Sequence, residues 1–220
     1  MPDTAGAVGR SRRASGTTTS AAAGDWVRER LVARNTLEYL AACLPPELDA
    51  KARLLALQCA LRADAAGRVV ISVGLLRAMR LAGDPGPWQD LEDAWWVHPG
   101  STDRADPVRL MDGGSTSHPR AVRARAADWA LRIGGADAFK GLGPHPVLTG
   151  LVLAAYGTNG MGLGPAERLA QLCGLRSAGQ MHAVLDALVG AGFLMSWTLG
   201  PDGRSVVWRL YPRADAGSRP

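Results

Sequence analysis

Residues 165–210 read PAERLAQLCGLRSAGQMHAVLDALVGAGFLMSWTLGPDGRSVVWRL, and this stretch decides the fold. Leu169, Leu172 and Cys173 fall at helical spacing until Gly174 interrupts them. A second helical run starts near Ser177, with Met181, Val184, Leu185 and Leu188 at i, i+3, i+4 and i+7, and closes at Gly190 and Gly192. Two β-prone runs follow, 193–199 and 204–210. They are joined by Gly200-Pro201-Asp202-Gly203, a composition suited to a tight hairpin turn.

Two short helices, a glycine-containing turn and a hairpin make a winged helix-turn-helix, a unit that presents its second helix to the DNA major groove while the wing touches backbone. The stretch resembles the helix-turn-helix of bacterial winged-helix regulators. Glu167, Leu169, Ala170, Gly174, Leu175 and Ser177 stand at the places of that pattern, as do Leu185, Ala187, Leu188, Ala191, Gly192, Phe193 and Leu194. The resemblance covers about a third of the chain. It implies a double-stranded DNA partner, with helix 177–189 in the groove.

The chain departs from the family at the outward positions of that helix. They carry Ala178, Gly179, Gln180, His182, Ala183 and Asp186, and no Arg or Lys occurs between Ser177 and Leu199. The base-reading candidates are therefore Ser177, Gln180 and His182. A glutamine bonding an adenine edge bidentately is worth about 1–3 kcal/mol of discrimination. A solvated polar helix face accounts for the same residues. Arg176, before the helix, and Arg204 and Arg209, in the wing, are the phosphate candidates.

The 220 residues suffice for two small domains or one large one. Net charge is +5 and the pI is near 9.6, a mild lean toward a polyanion, since 25 basic residues face 20 acidic ones. Lys51 and Lys140 are the only lysines, so part of the arginine excess reflects GC-rich coding. Cys43, Cys59 and Cys173 are far apart and sit in apolar helical runs, which predicts buried, reduced thiols in a cytoplasmic protein. No apolar run approaches the roughly 18 residues that a membrane-spanning helix needs.

In chain order, 1–24 is expected to be a disordered arm carrying Arg10, Arg12 and Arg13, with Asp25 capping a helix that ends before Pro45-Pro46. That helix is either a dimerisation element or packs on its own domain. A helix over 47–63, a β-branched run at 68–72, helices over 73–81 and 88–96, and a returning strand at 108–111 give the winged-helix order again. We therefore expect a degenerate internal repeat offset by roughly 90 residues, and a helical domain spanning 25–116. The second helix of this set holds Asp90, Glu92 and Asp93 and no base, so a phosphate backbone would repel it. Trp95 and Trp96 are either core or anchors for a protein partner.

Residues 117–143 are expected to form a basic linker helix and hinge, capped by Ser117 or His118. Val122, Ala126, Trp129 and Ile133 lie on one stripe, and Arg120 and Arg123 are added to the DNA-contacting candidates, on what is equally an ordinary solvated face. Glycine and proline at 141–146 mark a boundary. Residues 144–212 then form the winged-helix domain, with a loop at 157–164 and Trp197 opposite Trp208, and 213–220 a frayed tail.

No catalytic constellation, cofactor motif or metal-ligand spacing is present. His98, His118 and His145 each precede proline, and His182 has no ligand-spaced partner. The expectation is thus a mainly α protein with small β-hairpin wings: tandem winged-helix-like domains joined by a linker helix, no enzyme, and a homodimeric transcriptional regulator. A plasmid or mobile-element replication or partition protein with paired winged helices fits the same layout. So does a winged-helix protein-interaction adaptor, because that scaffold does not oblige DNA binding.

Overall fold

The computed structural model describes residues 18–98, 107–112 and 118–212, with 18–26 as backbone only. The protein is mainly helical with two small antiparallel sheets. The elements run α1 (Thr18–Cys43), α2 (Ala50–Arg62), β1 (Arg68–Val69), α3 (Val73–Ala78), α4 (Gly86–Asp93), β2 (Val108–Arg109) and α5 (Arg120–Gly134). A short 3-10 helix, Asp137–Phe139, leads to α6 (Pro144–Tyr156), β3 (Met161–Pro165), α7 (Ala166–Leu172), α8 (Ala178–Gly190), β4 (Leu194–Leu199) and β5 (Ser205–Leu210). No helix of the described residues is long and apolar enough to cross a membrane.

α1 begins earlier than its sequence suggested. It starts at Thr18, so Asp25 lies inside the helix and is no cap, and 18–24 is helical rather than a disordered arm. Ala21, Ala22 and Ala23 supply the propensity. Arg10, Arg12 and Arg13, Ser117 and the 213–220 tail lie outside the described residues. α2 starts after Asp49, whose carboxylate accepts the Lys51 amide at 2.7 Å. Cys59 and Cys173 are buried, but Cys43, on the last turn of α1, is exposed.

The expected linker helix is a central packing element. α5 lies against α1, α2 and α6, with Ala126, Ala127, Trp129, Ala130 and Ile133 buried. Pro119, not Ser117 or His118, occupies its N-cap, without a side-chain cap bond. Glu29 of α1, itself buried, faces Arg125 at 3.5 Å and Arg132 at 3.9 Å, so two of the α5 arginines are matched within the protein. One continuous apolar core runs from Val32 of α1 to Leu210 of β5.

In the C-terminal sheet the strand order is β3-β5-β4. The segment expected as a loop at 157–164 contains most of β3, which pairs antiparallel with β5 from Met161↔Arg209 to Pro165↔Ser205. Its glycines obscured the strand. Gly162 lies under the Trp208 indole, where an added Cβ would come 2.1 Å from Cζ2, so only a residue without a side chain fits. Trp208 is a register partner of Trp197, as expected, and its indole Nε1 donates to the Leu153 carbonyl at 3.3 Å.

The backbone of this unit recurs in the N-terminal half. After α7, the Gly174 amide donates to the Gln171 carbonyl and the Leu175 amide to Ala170; after α3, the Arg80 amide donates to Arg77 and the Leu81 amide to Leu76. After α8, Gly192 donates to Val189 and Phe193 to Leu188; after α4, Trp95 donates to Glu92 and Trp96 to Leu91. The third strands match too, with Leu210 bonding to the Gly160 carbonyl and Leu110 to that of Gly67. β1 pairs with β2, and Val97 bridges Leu110, which gives the same order of first, third and second strand. Three left-handed positions correspond: Gly67 with Gly160, Arg80 (φ 61°) with Gly174 (φ 65°), and Trp95 (φ 54°) with Gly192 (φ 72°). The N-terminal set thus holds an arginine and a tryptophan in backbone that favours glycine.

Two substitutions test this account by chemical denaturation. Gly162→Ala should cost about 1–3 kcal/mol by overpacking against Trp208. Trp95→Gly should be neutral or stabilising by about 0.5–1 kcal/mol, because relief of left-handed strain outweighs the added chain entropy and the indole is exposed. A loss of more than about 1 kcal/mol in Trp95→Gly would contradict the equivalence with Gly192.

Candidate functional site

The surface that sequence singled out is the exposed side of α8 with the β4–β5 hairpin. α8 starts as expected. Ser177 is its N-cap and its Oγ accepts the Gln180 amide at 3.2 Å, while Gln180 Oε1 reaches back to accept the Arg176 amide at 2.7 Å. This reciprocal pair resembles a capping box and satisfies the Gln180 amide, which the helix leaves open, and the Arg176 amide just before the cap. Met181, Leu185 and Leu188 turn inward and are buried, in line with the periodicity.

The capping has a chemical consequence. One lone pair of Gln180 Oε1 is taken by the Arg176 amide and one of Ser177 Oγ by the Gln180 amide, so both side chains are held toward the backbone and meet a base edge in competition with capping. His182 is further from that role. Its ring stacks on Trp197 with centroids 5.0 Å apart, and its Nε2 is buried without a hydrogen-bond partner among the described residues. The Trp197 indole Nε1 donates to Asp186 Oδ1 at 2.8 Å. His182, Asp186 and Trp197 therefore bind α8 to the hairpin. His182 is a structural residue here and not an outward base reader. What α8 leaves exposed is Gly179, Gln180, Ala183 and Asp186, then Val189 and Gly190 at its end.

The phosphate candidates divide. Arg176, Arg204 and Arg209 are exposed. Arg176 borders shallow surface grooves that also hold Glu47, Asp49 and Glu167, so carboxylates of the α1–α2 corner and of α7 lie close by. Arg204 sits in the hairpin turn and Arg209 on β5, its Nη2 3.7 Å from Met161 Sδ. Arg120 is exposed at the start of α5, in a groove shared with Arg62 and Arg68, away from the residues around α8. Arg62 and Arg68 are engaged by Asp128 and Asp64.

Arg123 is corrected outright. It is 4 % exposed, and its guanidinium donates to the carbonyls of His118 (3.2 Å) and Ala60 (3.1 Å). Buried and bonded in this way, it ties α5 to α2 and cannot meet a phosphate. The spacing of Arg123 from Ala126, Ala127 and Ala130 places it on the buried face, a signal that counting charges overlooked. The tryptophan pair also divides: Trp96 is 4 % exposed and core, and Trp95 is 68 % exposed.

The hairpin turn is built by Asp202. Its Oδ1 accepts the amides of Arg204 (3.0 Å) and Ser205 (2.8 Å), and its Oδ2 accepts the Ser205 hydroxyl at 2.7 Å. The Ser205 hydroxyl above all, then the two amides, hold this carboxyl at about 2, below its ordinary 3.8. A depressed carboxylate contributes stability that is present above its unfolded value and lost as pH falls through the folded one. The turn should therefore stay intact near pH 4 and loosen toward pH 2, with the Asp202 carboxyl carbon titrating at about 2 by NMR. A midpoint at the ordinary aspartate value would show that these bonds do not persist in solution. No protein-family model matches the chain, and no curated protein or solved structure matches it.

Proposed function

We propose that this chain is a DNA-binding transcriptional regulator of the cytoplasm, built from tandem winged-helix units and acting as a homodimer. The observation that carries this reading is the α7–turn–α8–hairpin unit, with exposed Arg176 just before α8 and exposed Arg204 and Arg209 in the hairpin that follows. α8 lies in the major groove. Gly179 and Ala183 carry little or no side chain, so the helix backbone approaches the base edges closely, and the α8 N-terminus adds its partial positive charge toward phosphate. Ser177 and Gln180 sit at the groove entrance, where direct readout is limited by their capping bonds, and groove shape supplies part of the selectivity. A second protomer doubles the phosphate contacts that one sparsely charged helix lacks.

A second reading, a protein-interaction adaptor, is favoured by specific observations. Asp186 is exposed on α8, Glu47 and Asp49 stand beside Arg176, and Trp95 presents its indole from strained backbone. Salt separates the two readings.

Capture of sheared genomic DNA by the purified protein near physiological salt, followed by sequencing, should enrich one or a few sites. A palindrome fits the dimeric regulator, and direct repeats would favour a replication or partition protein. With three phosphate-facing arginines per protomer, log K against log salt should fall with a slope of about −5 for the dimer. Arg176→Ala or Arg204→Ala should reduce that slope by about two per dimer, one phosphate contact being lost in each protomer. Gln180→Ala is the poorer probe, because it removes a cap as well as a base contact. A flat salt dependence with no enriched site would discard the groove-binding reading in favour of the adaptor.

A further inference from the structure

A cleft of about 230 Å³ lies between α2, the turn after α3, α5 and the start of α6. Its walls are apolar: Leu54 and Leu57 from α2, Met79 after α3, Leu131 from α5, and Leu142 and Val147 around the α6 start. Two cations, Lys51 and Arg80, also line it, and no carboxylate of the described residues does. Lys51 is engaged at 2.7 Å by Asp84. Arg80 meets only a neutral acceptor among the described residues, donating from Nη1 to the Phe139 carbonyl at 2.8 Å. The polar Gln58 on the wall is already satisfied, giving its amide to the Ala127 carbonyl and accepting from Arg62.

Arg80 is also the residue held at φ 61° where the C-terminal set has Gly174. Non-glycine residues held in such backbone gather at ligand-binding sites, where their side chain compensates for the strain. Here the strained residue places a guanidinium at the rim of an apolar cleft.

We propose that this cleft binds a small monocarboxylic acid, its apolar body between Leu54, Leu57, Leu131 and Val147 and its carboxylate on Arg80. A dry cavity of about 150 Å³ takes benzene, so this one holds a body of roughly nine or ten heavy atoms. The charge asymmetry selects an anion: a guanidinium with no carboxylate partner among the described residues offers a carboxylate a charge-assisted, bidentate bond, and a neutral head group forfeits it. Because its walls come from both helical sets and from α5, the bound acid fastens them to one another. This site stands independently of DNA binding.

The test is calorimetric titration of the full chain with benzoate, 3-phenylpropionate, hexanoate and octanoate, with 3-phenylpropanol as the uncharged control. At least one acid should bind with a Kd of about 1 mM or tighter. At about 100-fold excess over Kd it should raise Tm by roughly 5 °C or more. The alcohol should bind at least about tenfold more weakly. Arg80→Gln should lose the same factor while keeping the circular dichroism spectrum, and Leu54→Trp, which fills the cleft from its half-buried rim, should abolish binding of acid and alcohol alike. The proposal is overturned if none of the four acids binds, if the alcohol binds as well as the acids, or if Leu54→Trp leaves affinity unchanged. DNA capture scored on the same protein keeps the two outcomes apart, since loss of acid binding leaves enrichment untouched.

Discussion

The guanidinium of Arg53 occupies the joint between the two halves of the protein. It is 4 % exposed on α2, donating from Nε to the Leu48 carbonyl at 3.1 Å and from Nη2 to the Pro45 carbonyl at 2.6 Å. Those carbonyls belong to the corner between α1 and α2, and they are acceptors for the charged guanidinium. A buried charge without such acceptors would cost several kcal/mol, on the order of the whole stability of a small domain. On its other side Arg53 packs on Gly174, the turn between α7 and α8, where a Cβ would come 2.5 Å from Nε. The same glycine is needed twice, for its left-handed φ of 65° and for this approach. The corner between α1 and α2 and the turn between α7 and α8 therefore meet on one side chain. Burial pulls its pKa below the usual arginine value, and the guanidinium stays charged at any physiological pH.

α1 and α6 meet through a second polar seam. Tyr156 donates to Glu38 Oε1 at 2.6 Å, Arg34 lies over the Tyr156 ring at 4.3 Å, and Arg34 Nε reaches Glu38 at 3.2 Å. The Tyr156 hydroxyl, more than any other group, draws the Glu38 carboxyl below its ordinary value, and burial and the same bond push the tyrosine up. Tyr39, one residue on, binds Asp112 after β2. α1 thereby reaches the neighbourhoods of both sheets along its C-terminal half. Its contribution is polar anchoring on top of the buried Val32, Leu37 and Leu40.

The sequence was legible where local chemistry and tertiary demand agree. α7, α8 and the hairpin carry their glycines at left-handed turns and their leucines at helical spacing, and they fold as read. β3 was hidden because Gly162 and Gly164 answer to the Trp208 ring and the Leu169 side chain, a contact between distant residues that no local pattern displays. The N-terminal set was faint for the opposite reason. It makes the same turns through Arg80 and Trp95, so the glycine punctuation that would have announced a repeat is absent. In the candidate site, charge was counted correctly and direction was not: Arg123 faces inward, Arg125 and Arg132 face Glu29, and His182 faces Trp197. Sequence gives the periodicity of a helix, but which partner a long side chain finds depends on helices far away in the chain.

The two sets share their turn hydrogen bonds and strand order, and differ in what they do with their left-handed corners. Gly174 and Gly192 turn without strain and leave the C-terminal unit with a smooth α8 surface of Gly179, Ala183 and Gly190. Arg80 and Trp95 turn at a cost of about 1–2 kcal/mol each and put a guanidinium at a cleft and an indole into solvent. If these corners only had to reverse the chain, glycine would serve at both, as it does in the other set. The Arg80 and Trp95 side chains, held in left-handed backbone, are the part of the N-terminal half least explained by folding.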